Sequence, residues 1–277
     1  MSEQIGLRGR TWFQALTENN QTASGDPGTV LASEARIGDE MALFLAVVPN
    51  PSSRFPCVRE GQVGLEEAFA LASHLRRIIA EDREKAKDQK RPIIAIVDVK
   101  SQAYGRREET AGIFFAAAAS ADAYASARTA GHPVIALVAG HAFSGGFLTH
   151  GYQANRILAF DDSGIMIHAM HKEAAARITR RSVAELEQLG HEIVPMSYDV
   201  RDYAKLGLLH KLLHVNDPLH PTVADIQAIR LDLIDAIRDA RHGATDLSNR
   251  LQAEAARQTR KAGIAVRAAL EAQWQSA

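Results

Sequence analysis

Three short, almost uninterrupted apolar runs constrain the fold of this chain most strongly. They are MALFLAVV (41–48), PIIAIVDV (92–99) and VIALVAG (134–140). Apolar runs of this length are typical of strands covered on both faces, and segments with helical periodicity separate them. Strands that alternate with helices in this way form right-handed units around a largely parallel sheet. The sequence therefore predicts an α/β fold.

The two segments between these runs predict helices. The first, residues 64–90, ends in a charged, solvated run. The second, residues 108–133, is rich in alanine and ends at Gly131 and Pro133, which are common stop signals. The apolar face of the first helix is formed by Leu65, Ala68, Phe69, Ala72, Leu75, Ile78 and Ile79.

The two ends of the chain give weaker signals. The first 40 residues show little periodicity, and TENNQTASGDPGTV (17–30) is interpreted as a loop that leads into the first strand. Residues 222–275 are strongly helical, so we predict one domain, 1–220, followed by a helical C-terminal extension, 221–277. Between them, RILAF, IMIHAM and LLHKLLHV predict short strands, Ser182 and Asp199 predict helix caps, and Gly207 predicts a helix end.

Composition excludes several classes of protein. The 32 basic and 33 acidic side chains leave no net field to attract nucleic acid or an anionic membrane. The longest apolar runs fall far short of the ~20 residues of a membrane span, and the N-terminus has no run like a signal peptide. A single cysteine, Cys57, excludes an internal disulfide framework and suits a reducing compartment. We expect a soluble cytoplasmic protein.

The stretch GHAFSGGFLTHG (140–151) follows the third apolar run and carries the candidate site. Ligands of open α/β sheets bind outside the carboxyl ends of strands, where a following helix offers unpaired N–H groups. Gly145 and Gly146 lack a Cβ, so a thioester or carboxylate oxygen can approach their N–H groups closely. The pattern indicates an oxyanion hole, and a tight turn with close helix packing is the alternative.

The sequence offers three other candidate sites. Ala142, Ser144 and Gly146 nearly match a G-x-S-x-G nucleophile elbow, but none of the later histidines stands in an evident motif with an acid. The Arg-rich stretch RITRR (177–181) could hold a phosphate or could be a solvated helix face. A metal site is disfavoured because H-E-x-x-H spacing is absent from His132, His141, His150, His168 and His171.

Three stretches in a fixed order resemble a known family: IIAIVDVKSQAYGRREETAGI, HPVIALVAGHAFSGGFLTHG and IMIHAMHKEAAARI. They resemble the C-terminal half of biotin-dependent acyl-CoA carboxyltransferases, of the crotonase-like superfamily. Val97-Asp98 matches that family's first strand, Tyr104-Gly105 stands where it has Pro-Gly, and the stretch from His141 to Gly146 stands for its Lys-Ala-Tyr-Gly-Gly-Ala. In length and in AKLGLLHKLLHV, the chain is most similar to gamma subunits of biotin-independent malonate decarboxylases, over roughly residues 35 to 215.

The resemblance implies a crotonase-like spiral of ββα units with a helical C-terminal tail. It also implies an enzyme of two chains, in which a gamma subunit pairs with a beta-type, carboxyltransferase-like subunit and the active site lies between them. The substrate would be a malonyl thioester on an acyl-carrier protein that bears a coenzyme-A-derived prosthetic arm. The products would be the acetyl thioester and carbon dioxide, with no biotin and no tightly bound cofactor.

Residue by residue, the resemblance assigns catalysis to the N–H groups of Gly145 and Gly146, as the second oxyanion hole. We expect Gly105 and Ser144 to contact the substrate. Ser144 replaces a glycine of the family motif and Tyr104 replaces its proline. His141 and Tyr104 are candidate proton donors to the enolate, or structural residues. A self-contained acyl-CoA hydratase or hydrolase and a non-catalytic scaffold subunit are the alternative functions.

Overall fold

A computed structural model describes residues 7–18 and 26–275. Within these residues, seven strands form one sheet in the order β1-β2-β3-β4-β5-β7, and β6 pairs with β4. Only the pairing of β1 with β2 is antiparallel among the described strands, so the predicted, largely parallel α/β sheet is confirmed. The strands are β1 Val30–Ile37, β2 Glu40–Val47, β3 Ile93–Val99, β4 Val134–Phe143, β5 Arg156–Phe160, β6 Ile167–His168 and β7 Lys211–Leu213.

The apolar runs of the sequence became the central strands. Every residue of β3 and β5 is buried, as expected where helices cover both faces of a parallel sheet. The helices are α1 Leu7–Thr17, α2 Leu65–Glu81, α3 Arg106–Thr110, α4 Ile113–Thr129, α5 Ser144–Thr149, α6 Lys172–Thr179, α7 Val183–Glu192, α8 Val200–Lys205, α9 Val223–His242, α10 Asn249–Gln252, α11 Glu254–Thr259 and α12 Lys261–Gln275.

The two predicted helices between the runs exist, with different bounds. The first ends at Glu81, and Phe69 is 51% exposed while Leu71 is buried in its place. The second is two helices, because Gly112 adopts φ 83° between α3 and α4 and a left-handed residue interrupts a right-handed helix. Gly131 marks its end, as predicted, with φ 96°.

The structure forms α1 and β1 within the first 40 residues, where the sequence analysis predicted neither element. The loop predicted over residues 17–30 falls between them, and its described residues 26–29 belong to no helix or strand. The side chain of Trp12 in α1 is fully buried, and its Nε1 donates a hydrogen bond to the carbonyl of Pro218 at 2.9 Å. Gly9 interrupts the helical pattern of α1, and it packs closely against Asp98. Residues 19–25 of the predicted loop lie outside the described residues.

The C-terminal region follows several predictions. Ser182 and Glu185 form a capping box, and the Asp199 side chain accepts from the N–H of Arg201. The apolar faces of α9 reach the main core through Ile229, Leu233 and Ile237, whereas α12 has no buried residue. The division at residue 220 stays a prediction. Among the described helices, none is long and apolar enough to cross a membrane.

Candidate functional site

The buried carboxylate of Asp98 joins the carboxyl ends of β3 and β4. Its Oδ1 accepts a hydrogen bond from the N–H of His141 at 3.0 Å, and its Oδ2 accepts one from Gly9 in α1 at 3.1 Å. The pairing of β3 with β4 shifts register between Val97 and Val99, on either side of this residue. A Cβ on Gly140 would lie 2.1 Å from Oδ1, so only glycine fits there. Asp98 is thus the structural junction beneath the candidate site.

Helix α5 begins immediately after β4, at Ser144. Ser144 has φ 55°, which few residues other than glycine adopt, and it is one of three such residues in the described ranges. Holding an L-residue in this region costs about 1–2 kcal/mol. The N–H groups of the first turn, on Ser144, Gly145 and Gly146, have no acceptor within the helix and can serve a ligand or a side chain.

The two glycines have different surroundings. The N–H of Gly145 donates to Oε1 of Gln102 at 2.8 Å, and a Cβ on Gly145 would lie 2.7 Å from the same oxygen. Gly146 is buried, and a Cβ there would lie 2.4 Å from the carbonyl oxygen of Ser101. Close packing on the loop after β3 therefore requires glycine at 146. The catalytic roles of both residues stay predictions.

Ser144 is paired with a tyrosine. Its hydroxyl oxygen lies 2.9 Å from the phenol oxygen of Tyr104, whose side chain is 52% exposed. The described residues place no histidine in a hydrogen bond with Ser144, so the arrangement lacks the imidazole base of a serine nucleophile. Gly105, the neighbour of Tyr104, is exposed at the start of α3 with φ 150°.

A cavity of about 630 Å³ opens beside the first turn of α5. Gln102, Ser144 and Gly145 contribute to its lining, while neither Gly105 nor Gly146 is among the lining residues. Most of the surface is apolar and comes from side chains such as Phe147, Ile167, Tyr203 and Leu208. Cavities of this volume and character bind small organic ligands or cofactor arms.

The C-terminal segment forms one part of the cavity through Arg250 and Arg260, which the sequence analysis missed. The Arg250 guanidinium lies 4.9 Å from the centre of the Tyr152 ring and donates to the carbonyls of Tyr152 and Ala154, at 2.6 and 2.9 Å. Burial lowers the pKa of Arg250 to about 10, so it stays charged at neutral pH. The predicted arginines of RITRR are instead exposed and do not line the cavity.

The histidines near the motif are dispersed among separate contacts. His150 is fully buried, with Nδ1 2.9 Å from the Tyr124 hydroxyl and Nε2 3.0 Å from the Ile96 carbonyl, and burial lowers its pKa to about 4. Burial and the nearby His171 lower the pKa of His141 to about 4 as well. His168 lines the cavity and stacks on Tyr198, with 3.8 Å between ring centres. The described residues contain no group of three or more potential metal-binding side chains.

Comparison with known proteins places these features in context. Residues 58–274 match a family model described as the malonate decarboxylase gamma subunit. A curated relative, the malonyl-S-ACP:biotin-protein carboxyltransferase MADD of Malonomonas rubra, is 40% identical over 165 residues, which are 59% of this chain. The match spans 56% of the length of that relative.

Two solved structures from Pseudomonas are similar over nearly the whole chain. A malonate decarboxylase hetero-tetramer in complex with coenzyme A contains a chain with a TM-score of 0.91 and 48% identity. An MdcD-MdcE hetero-dimer of malonate decarboxylase gives a TM-score of 0.87 and 47% identity. Each match covers 96% of this chain and 99% of the other. The predicted crotonase-like fold and the predicted family resemblance are both confirmed.

Proposed function

Because this chain belongs to the malonate decarboxylase gamma subunit family, we propose that it decarboxylates a malonyl thioester together with a beta-type, carboxyltransferase-like subunit. The products are the acetyl thioester and carbon dioxide. The observation that carries this proposal is the largely apolar cavity of about 630 Å³ that opens beside Gly145 at the start of α5. The hetero-oligomeric state of the similar Pseudomonas proteins supports the two-chain arrangement.

The chemistry requires stabilisation of one oxygen. Loss of carbon dioxide from a malonyl thioester leaves an enolate, so fixed dipoles aimed at that oxygen lower the barrier. We assign this role to the N–H groups of Gly145 and Gly146 in the first turn of α5. One such donor typically contributes about 3 kcal/mol to the transition state. The thioester oxygen and the departing carboxylate are the two candidate ligands of this hole.

The cavity supplies the surroundings that the reaction needs. An apolar lining excludes water, which strengthens every electrostatic interaction inside it. The positive charges of Arg250 and Arg260 in that lining attract the anionic malonyl group. Ser144 lines the cavity and contacts the acyl group in this proposal, while Gly105 acts through the turn that places Tyr104 against Ser144.

The acyl group arrives on an acyl-carrier protein with a coenzyme-A-derived prosthetic arm. Two findings support this part of the proposal: the relative from Malonomonas rubra is described as acting on malonyl-S-ACP, and the similar hetero-tetramer binds coenzyme A. We expect this chain to need neither biotin nor a tightly bound cofactor of its own. The cytoplasmic location expected from the sequence stays a prediction.

Co-expression with a beta-type subunit tests the proposal. The purified pair should release carbon dioxide from a malonyl thioester on acyl-carrier protein, and either chain alone should not. Turnover by this chain alone would contradict the two-chain enzyme, and hydration of enoyl-CoA by it would favour the self-contained alternative.

A glycine variant addresses the scaffold alternative. Gly145→Ala displaces only the end of the Gln102 side chain, so the complex should assemble normally. A drop in decarboxylation of tenfold or more with unchanged assembly would exclude a purely structural role for this chain, whereas wild-type turnover would favour it.

A further inference from the structure

We propose that the Gln102 side chain is a displaceable occupant of the candidate oxyanion hole. In the free chain its carbonyl oxygen accepts the hydrogen bond of the Gly145 N–H, and on binding it yields that N–H to an oxygen of the acyl group. This inference rests on the proposed function, because it assigns the Gly145 N–H to the malonyl thioester.

The geometry places a carbonyl oxygen where the ligand oxygen is needed. Oε1 of Gln102 lies 2.8 Å from the Gly145 nitrogen, inside the range of about 2.7–3.1 Å for an oxyanion-hole donor. Both residues line the cavity, so an incoming acyl group reaches the same N–H from the same space. One oxygen excludes the other, since the N–H can make only one good hydrogen bond.

The Gln102 backbone is fixed while its side chain can turn. Gln102 pairs with Val63 in a parallel bridge, and Val63 also donates to the Ser101 carbonyl at 2.9 Å and accepts from the Ala103 N–H at 2.8 Å. In the described part of the chain, the bond to Gly145 is the hydrogen bond that holds the Gln102 side chain. A rotation about its side-chain torsions therefore frees the N–H without moving the loop.

The hydrogen bond between Gly145 and Gln102 also has a role when no acyl group is bound. An unpaired N–H at an apolar cavity wall costs free energy, and a peptide without an acceptor can turn toward another one. Gln102 keeps the Gly145 N–H aimed into the cavity until the acyl oxygen replaces it. The net free-energy contribution of one hydrogen bond is small, so the bond between Gln102 and Gly145 opposes binding of the acyl group only weakly.

Steady-state kinetics of the assembled enzyme test the proposal, with malonyl thioester on acyl-carrier protein as substrate. Gln102→Ala should lower KM about fivefold, equivalent to about 1 kcal/mol, with kcat changed less than twofold. Gln102→Glu should raise KM about tenfold at neutral pH, because a carboxylate binds an N–H more strongly than an amide does. That increase should fade as the pH falls toward the pKa of the new glutamate.

Gln62→Ala is the matched control. It removes the same kind of hydrogen bond, in which the Glu60 N–H donates to Oε1 of Gln62 at 3.1 Å, at a position outside the cavity lining. It should leave KM and kcat unchanged. Gln102→Met keeps the volume and lacks the acceptor, so it replaces Gln102→Ala if that variant folds poorly. The affinity for acetyl-CoA, measured by calorimetry, gives a second measure of the freed N–H.

Two results would overturn the inference. A tenfold loss of kcat at constant KM in Gln102→Ala would show that Gln102 stays in place and positions α5. Wild-type values of both constants in Gln102→Ala and Gln102→Glu would show that Gln102 has no role in binding. If the wild-type complex itself releases no carbon dioxide, the proposed function fails instead, and unchanged acetyl-CoA affinity in Gln102→Ala then overturns the inference separately.

Discussion

The phenol oxygen of Tyr104 lies 2.9 Å from the hydroxyl oxygen of Ser144, at the turn where β4 passes into α5. A serine becomes a nucleophile when a base such as an imidazole accepts its proton, and a tyrosine hydroxyl is not such a base. The pair therefore joins two hydroxyl groups. It fixes the Ser144 turn against the Tyr104 loop without activating either oxygen.

Replacement of Ser144 tests this interpretation. In the assembled enzyme, Ser144→Ala should keep kcat for malonyl-thioester decarboxylation within tenfold of the wild type, since it removes one neutral hydrogen bond. Loss of a true nucleophile costs on the order of a millionfold. Tyr104→Phe removes the same bond from the other side and should have a similarly small effect. A thousandfold loss in Ser144→Ala alone would restore the nucleophile hypothesis.

Gly146→Ala should destabilise the chain by about 1–3 kcal/mol, because its Cβ would lie 2.4 Å from the backbone oxygen of Ser101, which cannot move aside as a side chain can. Urea unfolding measures the change. Gly263→Ala is the control, since nothing lies within 4 Å of a Cβ there and alanine favours helix α12 by up to about 1 kcal/mol. Equal stabilities of the two variants would contradict the close packing at Gly146.

His150 should make the stability of the fold depend on pH. Burial lowers its native pKa to about 4, against about 6.5 in an unfolded chain, so the unfolded state binds more protons between these values. The contribution of His150 to the free energy of unfolding is complete above pH 6.5 and is lost as the pH falls toward 4. At pH 5 the loss is about 2 kcal/mol. Unfolding of the wild type and of His150→Gln at several pH values measures it.

The His150→Gln variant should show a smaller drop in unfolding free energy between pH 7.5 and pH 5 than the wild type. His242→Gln is the control, because His242 is exposed at the end of α9 and its ring lies 2.8 Å from the Arg238 carbonyl, with no acid in that contact. Parallel pH profiles for the wild type and His150→Gln would show that His150 titrates normally in the fold.

Arg250→Ala should loosen the C-terminal segment. It leaves the carbonyls of Tyr152 and Ala154 without a donor, at a cost of about 1–3 kcal/mol each, and removes the contact with the Tyr152 ring. Limited proteolysis should cleave within residues 244–275 about tenfold faster than in the wild type. The exposed neighbour Arg257 provides the control variant Arg257→Ala, for which no change is expected. Equal cleavage rates would exclude an anchoring role for Arg250.

The sequence predicted those elements whose pattern is local. The strands β2 to β5 appear as continuous apolar runs because the covered parallel sheet leaves no polar face. β1 was missed because Ser33, Glu34 and Arg36 break its apolar pattern at the edge of the sheet. α1 was missed because Gly9 and few apolar residues hide its helical periodicity.

In the candidate site, too, the sequence predicted only the residues that stand in a local pattern. Gly145 and Gly146 stand in a recognisable strand-to-helix motif, whereas Gln102 lies 43 residues away and reaches Gly145 only because β3 pairs with β4. Arg250 is 98 residues from Tyr152, and no sequence pattern connects the two. Side chains of this kind can be found only once the sheet order and the course of the C-terminal segment are known.

The hydrogen bonds to the Asp98 carboxylate can form only in a certain order during synthesis of the chain. Gly9 finds its acceptor only when the ribosome has added the 89 residues that separate it from Asp98, and His141 follows 43 residues later. The hydrogen bond from Trp12 to the Pro218 carbonyl forms later still, because Pro218 is 206 residues further along the chain. Among the described helices, α1 therefore leaves the ribosome first, although some of the residues that hold it are made much later.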